Sequence, residues 1–163
     1  MHIHPVGTRA LLIELEDLSQ VMAWHAALDA QPLKDQVDAI AAATTLLLTF
    51  ATPNSAAAAA ERLQDFRPTA HAGEDPRLVE IDVLYDGEDL DEAAELMGLS
   101  REGLIDWHTS TEWLAAFGGF APGFTYCTPA DPAQNFDIER RATPRTAVPA
   151  GAVGIAGGFS AVY

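Results

Sequence analysis

Only one cysteine, Cys127, occurs in the 163 residues, so no internal disulfide forms and a thiolate-rich metal site is excluded by count. Lysine is equally scarce, with Lys34 standing alone. Nine basic residues face twenty-four acidic ones, a formal net charge of −15. Such a balance repels phosphate backbones and anionic bilayers, so nucleic acid is discounted as a partner. No window reaches the roughly 18 consecutive apolar residues of a spanning helix. The opening Met1-His2-Ile3-His4-Pro5 also lacks a basic region followed by an apolar run, so a cytoplasmic protein without a membrane partner is expected. Zinc-type spacing, telling carboxylate pairs and a Ser-His-Asp order are missing, and no metal is expected.

What is present suits a folded chain, since 48% of the residues are hydrophobic, enough for one ordinary core or two small ones. Thr8 to Leu15 reads as a strand ending in a polar cluster. Asp17 or Ser19 then caps a helix with Leu18, Val21, Met22, His25 and Leu28 at helical spacing, ending near Gln31-Pro32. Val37 to Ala43 and Thr45 to Phe50 read as two strands, and the alanine run from Ser55 to Leu63 as a helix capped by Asn54 or Ser55. Leu78 to Tyr85 alternates apolar and acidic residues and predicts a strand with one wet face. That order over 1–85 is the split βαβ arrangement of a ferredoxin-like domain.

Beyond it, Asp86-Gly87 makes a turn, and an apolar stripe of Leu90, Ala93, Ala94 and Met97 ends at Gly98. Ser100 caps a second short helix carrying Leu104, Ile105 and His108. Residues 86–112 are therefore expected to be a helical linker. From Trp113 the texture turns to Gly and Pro punctuating short apolar pieces, as in a barrel or sandwich. Because the sequence stops at Tyr163, just after a fresh strand at Ser160 to Tyr163, residues 113–163 are expected to be only the first part of a barrel. The expected class is α+β.

Four features bear on chemistry. Gly118-Gly119-Phe120-Ala121-Pro122-Gly123-Phe124 combines close backbone approach with two rings that wall a pocket; the alternative is a tight corner with aromatic packing. Arg145, set between Pro144 and Pro149, presents a rigid guanidinium to a carboxylate or phosphate, unless one of the many acidic side chains pairs with it. Gly154, Gly157 and Gly158 offer backbone N–H groups to an anion, but the P-loop ending is missing. His108, near Asp106 and Ser110, is a candidate base, or else a structural histidine. Cys127 with His108 as its base is a weaker candidate, because no activating cation is visible.

Together these segments resemble a known family. The stretch Tyr85 to Ala94, then Gly98-Leu99-Ser100, His108 and Gly119 to Phe124, are similar to the KipI/PxpB family. So are Thr143-Pro144-Arg145-Thr146, Val148-Pro149-Ala150-Gly151 and Val153 to Gly158. The same family is known as the B-type subunit of 5-oxoprolinase, allophanate hydrolase subunit 1 or a carboxyltransferase-domain subunit. The resemblance implies a ferredoxin-like domain followed by a cyclophilin-like β-barrel, cut short at the C-terminus. It also implies a role beside a C-type and an A-type subunit in ATP-dependent conversion of 5-oxo-L-proline to L-glutamate, with magnesium held by the complex.

On that resemblance His108 and Arg145 are the expected catalytic residues. Gly119, Phe120, Pro122, Gly123, Phe124, Gly154, Gly157 and Gly158 are the expected substrate or nucleotide contacts. Phosphorylating the lactam oxygen would make it a leaving group before water attacks. Two other readings are a carboxyltransferase-type subunit of a urea carboxylase or allophanate hydrolase system, and a KipI-like inhibitor of a sensor histidine kinase. The sequence departs from the family pattern after Phe124, where Thr125-Tyr126-Cys127-Thr128 follows. It also ends before the family's Tyr-Pro, Ser-Pro-Gly-Gly-Trp and Gly-Arg-Thr segments.

Overall fold

Every second residue of Thr45–Phe50 is buried, and so are Leu11 and Ile13 of Ala10–Glu14. The two strands pair so that Leu11 faces Leu48 and Ile13 faces Leu46, which concentrates the apolar side chains on one face. The computed structural model describes residues 1–68 and 77–163 and divides into two units, Met1–Leu78 and Val79–Tyr163.

The first unit runs β1 (His2–Val6), β2 (Ala10–Glu14), α1 (Leu18–Ala30), β3 (Gln36–Ala41), β4 (Thr45–Phe50) and α2 (Pro53–Gln64). Its antiparallel sheet has the order β1-β2-β4-β3. The buried face of the sheet packs with Val21, Trp24 and Leu28 of α1 and with Ala56, Ala59 and Leu63 of α2. Burying each Leu-sized side chain contributes about 1.5–3 kcal/mol. Asp17 starts α1 by accepting from the Gln20 N–H at 2.9 Å. The cap of α2 is Thr52, whose Oγ1 accepts from the Ser55 N–H at 3.1 Å, with Pro53 in the first helical turn. The sequence pointed to Asn54 or Ser55, which lie just inside the helix.

The strand expected at Leu78 to Tyr85 is not formed; residues 77–87 carry no regular structure. In the split βαβ order that strand would pair with β2, but β1 takes that edge in register from His2 opposite Glu14 to Val6 opposite Ala10. Without a sheet to cover its apolar face, the alternation leaves Leu78, Val79, Ile81 and Leu84 exposed. β1 escaped the sequence reading because Pro5 argues against a strand, and only an edge strand tolerates it.

The second unit contains α3 (Leu90–Leu96), α4 (Arg101–Ser110), β5 (Trp113–Gly118), β6 (Thr125–Pro129), a 3-10 turn at Pro132–Gln134, β7 (Val153–Ala156) and β8 (Phe159–Val162). Both helices read as a linker thus lie inside this unit. Ser100 caps α4 by accepting from the Gly103 N–H at 3.0 Å. The second antiparallel sheet has the order β5-β6-β8-β7, joined across its middle at Cys127 and Ser160. Gly157 and Gly158, with φ of 58° and 77°, make the two-residue turn of the β7–β8 hairpin, where both central residues need positive φ. Ala94, Leu104, Phe124, Ile138 and Ala161 are buried here. Among the described residues no helix is long and apolar enough to cross a membrane.

Candidate functional site

His108 projects from α4 into the second unit and is 8% exposed. Tyr85 Oη lies 2.7 Å from its Nδ1, and Ser160 Oγ of β8 lies 3.2 Å from its Nε2. Either hydroxyl can donate to one ring nitrogen while the other nitrogen donates, so a neutral ring satisfies both contacts. The rings of Trp107 and Trp113 flank it, and Trp113 Nε1–H donates to the His108 carbonyl at 3.1 Å. Burial pushes the imidazole pKa below its ordinary value of 6.5. Burial likewise raises the Tyr85 hydroxyl. The arrangement ties α4 to β8 and to the segment before α3, with both ring nitrogens engaged.

Arg145 lies on the exposed segment between the 3-10 turn and β7. Its Nε donates to Asp89 Oδ2 at 3.1 Å and its Nη2 to Asp89 Oδ1 at 2.6 Å, a forked pair. Glu88 stands 3.3 Å from the same Nη2. Arg141 donates to Asp89 Oδ1 at 2.6 Å and to Glu92 Oε2 at 2.8 Å. The hydrogen bond from Arg145, with the nearby Arg141 charge, holds the Asp89 carboxyl below its ordinary range, and Asp89 in turn raises Arg145. The Arg145 guanidinium is thus paired with a carboxylate of this chain, the alternative that the acidic composition offered.

The glycine-rich stretch after β5 closes on itself. Gly119 N–H donates to the Phe124 carbonyl at 3.2 Å, and Phe124 N–H to the Ala121 carbonyl at 3.0 Å. Gly123 sits at φ 80°, and Phe120 holds φ 62° with its side chain 77% exposed. A non-glycine residue in that region is uncommon, so the turn holds this ring outward at a conformational cost. Phe124 is buried beneath it, with ring centroids 5.1 Å from Phe120, 5.1 Å from Tyr126 and 5.0 Å from Tyr163. Phe117 stacks on Tyr126 at 4.8 Å and meets Phe159 at 5.5 Å. A Cβ at Gly154 would lie 3.2 Å from the Tyr163 ring, and one at Gly119 3.3 Å from Tyr126, so both glycines make room for aromatics. Pro122 is exposed at the tip of the turn.

The fold therefore brings Phe120 and Phe124 together, joins Tyr163 to them and places Gly154 beneath Tyr163. Among the described residues no hydrogen bond, ion pair or ring contact joins His108 or Arg145 to the Phe120, Phe124 and Tyr163 rings. A triphosphate needs several converging cationic and N–H donors, yet Arg145 is shared with Asp89 beside Glu88, which repels a polyanion, and the Gly157 N–H donates to the Ile138 carbonyl at 2.7 Å. Gly158 faces Asn135, whose Nδ2 would lie 3.0 Å from a Cβ there. As arranged, these residues do not fit the phosphates of ATP. Among the described residues no group of three or more His, Cys, Asp or Glu converges on a metal position. Asp89, Arg141, Tyr85 and Ser160 were missed by sequence reading; the acidic run at Glu88-Asp89 and the doubled Arg140-Arg141 were the available signal for the first two.

Two antiparallel sheets in an α+β chain, the second faced with aromatics, place the molecule in a class with solved precedents. The crystal structure of the Kluyveromyces lactis urea carboxylase shares the fold, with a TM-score of 0.70 at 15% identity over 99% of this chain and 17% of that one. TTHA0988 matches with a TM-score of 0.70 and 31% identity over 95% of this chain and 32% of that one. Over residues 1–163 the chain matches the family described as carboxyltransferase domain, subdomain C and D, and it belongs to that family. It is 35% identical to the B-type subunit of 5-oxoprolinase from Escherichia coli O157:H7 over 97% of its own length and 76% of that protein. It is 43% identical to the corresponding 5-oxoprolinase subunit of Bacillus subtilis over 53% of its own length and 37% of that protein. The family resemblance read from the glycine-rich segments is thereby shown.

Proposed function

We infer that the chain serves as the B-type subunit of a cytoplasmic 5-oxoprolinase, working with a C-type and an A-type subunit to convert 5-oxo-L-proline to L-glutamate with ATP hydrolysis. The similarity along 97% of this chain to the Escherichia coli subunit of that name carries the reading. The likeness to urea carboxylase rests on fold at 15% identity, and fold alone does not transfer a reaction.

Within such a complex, this chain's residues have distinct parts. His108 is a positioning residue that fixes α4 against β8 through Ser160. The Phe120, Phe124 and Tyr163 rings form an apolar platform suited to the ring of a small planar substrate or to a partner's side chains. No step of ATP chemistry is assigned to this chain, because the Gly157 N–H is engaged within it and Glu88 beside the Asp89-paired Arg145 repels a polyanion. The nucleotide and its magnesium belong, on this reading, to the assembled enzyme.

The test is co-expression with C-type and A-type subunits, followed by glutamate and ADP measurement with and without 5-oxo-L-proline. Glutamate formation that needs all three chains and drops with Phe120→Ala at unchanged assembly supports the reading. Full turnover by the other two subunits without this chain sinks it, as does an intact three-subunit complex whose ATP hydrolysis ignores 5-oxo-L-proline.

A further inference from the structure

Every residue from 139 to 151 is exposed, and residues 135–152 contain no helix or strand after Gln134. Buried Ile138 anchors one end, and its carbonyl accepts from the Gly157 N–H. At the other end the Ala152 N–H donates to the Pro149 carbonyl at 3.1 Å. Between these ends the attachments to the rest of the second unit are side-chain ion pairs: Arg141 to Asp89 and Glu92, and Arg145 to Asp89 and Glu88.

The two guanidinium groups converge on one atom, since both reach Asp89 Oδ1 at 2.6 Å. Asp89 is the N-cap residue of α3, yet its side chain makes no cap hydrogen bond; the carboxylate is turned to the arginines instead. In a chain of net charge −15, two arginines four positions apart are thus gathered around a single oxyanion. The planar guanidinium fork matches carboxylate and phosphate oxygens equally well. Lying at the surface, these pairs are screened by salt and open to competition from an outside anion.

We propose that the segment 139–149 is a strap closed by an internal anion: Asp89 occupies an oxyanion site made by Arg141 and Arg145, and a small external carboxylate or phosphate displaces it and frees the strap. Glu88 and Glu92 at the rim disfavour a polyanion, so the ligand is a single compact oxyanion. The inference rests on the strap's own geometry and is independent of the reaction assigned to the complex.

The Nε–H proton signal of Arg145, which now points at Asp89 Oδ2, reads the exchange directly. The whole chain is titrated with sodium phosphate, and separately with sodium acetate, at ionic strength held constant with chloride. A saturable shift is expected in the wild type. In Asp89→Asn the same signal saturates at about five-fold lower ligand, the scale of removing one exposed competing ion pair. Arg141→Ala weakens binding in that background. Asp89→Ser serves the same purpose if the Asn variant folds poorly. A response to phosphate alone assigns the site to phosphoryl groups, and a response to both anions assigns it to oxyanions in general; each supports the strap. Equal affinity in wild type and Asp89 variants, or no saturable shift in either, overturns it.

Discussion

His108 and Ser160 stand fifty-two positions apart in the chain, yet their side chains meet at 3.2 Å in the interior of the second unit. This contact joins α4 to the middle strand β8 and only exists while the sheet is assembled. Its consequence is a defined response to acid. Burial lowers the His108 pKa in the folded state below 6.5, so the unfolded chain takes up a proton that the folded chain does not. The contribution of the neutral ring is fully present above about pH 6.5 and is lost as pH falls toward the lowered folded value. Unfolding free energy measured by denaturant titration between pH 7.5 and 5 should therefore fall, and His108→Gln should flatten that slope. An unchanged slope in the variant would rule out His108 as its source.

Tyr85→Phe removes the hydroxyl 2.7 Å from Nδ1 and leaves a buried ring nitrogen without its partner. A loss of about 1–3 kcal/mol is expected, the cost of an unsatisfied buried polar atom. The proximity of Trp107 and Trp113 to His108 makes tryptophan fluorescence a suitable probe of that unfolding. A variant as stable as the wild type would mean that another group satisfies the nitrogen.

At Gly158 two constraints coincide. The residue has φ of 77°, and a Cβ would lie 3.0 Å from Asn135 Nδ2 and 3.3 Å from its Oδ1. Gly158→Ala should destabilise the chain by about 1–2 kcal/mol from the left-handed backbone, before any shift of Asn135 is counted. Pairing it with Asn135→Ala separates the two causes: relief by the second substitution isolates the steric part. No loss in Gly158→Ala would show that the hairpin adopts another turn.

What the sequence made legible was whatever depends on local pattern. The Ser100 cap, the Asp17 cap chosen from Asp17 or Ser19, the strand at Thr45–Phe50 and the Gly98 stop are set by neighbours within a few positions, and each lies where the sequence puts it. Leu78 to Tyr85 has a strand's alternation, but alternation says nothing about whether a sheet edge is free, and β1 had taken it. The site was harder still. Arg145 stands out in the sequence as a guanidinium set between two prolines, but its partner Asp89 lies fifty-six positions away, a distance across which no periodicity carries information. Likewise the glycines were seen, while the Tyr126 and Tyr163 rings they accommodate were not.

Cys127 sits in β6 directly opposite Ser160, and burial pushes its thiol pKa above the ordinary 9.0. The thiolate, the reactive form, is therefore scarcer than in a free cysteine at the same pH. Iodoacetamide at pH 8 should label the folded chain more slowly than it labels the denatured chain, and Cys127→Ser should leave the activity of the assembled complex unchanged. Labelling as fast as in the denatured chain would return Cys127 to consideration as a nucleophile.

Leu46 is fully buried in β4, opposite Ile13 of β2, in the core that α1 and α2 complete. Leu46→Ala removes buried apolar groups and leaves a cavity whose walls cannot fully relax, because the facing strand is fixed by its own ladder. The expected cost is about 2–5 kcal/mol. The exposed Val37 on β3 provides the contrast, since Val37→Ala forfeits almost no burial and should change stability by roughly 0.5 kcal/mol or less. Amide hydrogen exchange of β2 and β4 checks both: protection should fall sharply in Leu46→Ala and hold in Val37→Ala. Were the two variants to lose protection equally, the side of the sheet that faces the helices would have been misassigned, because the period-two alternation allows only one of its faces to be the core.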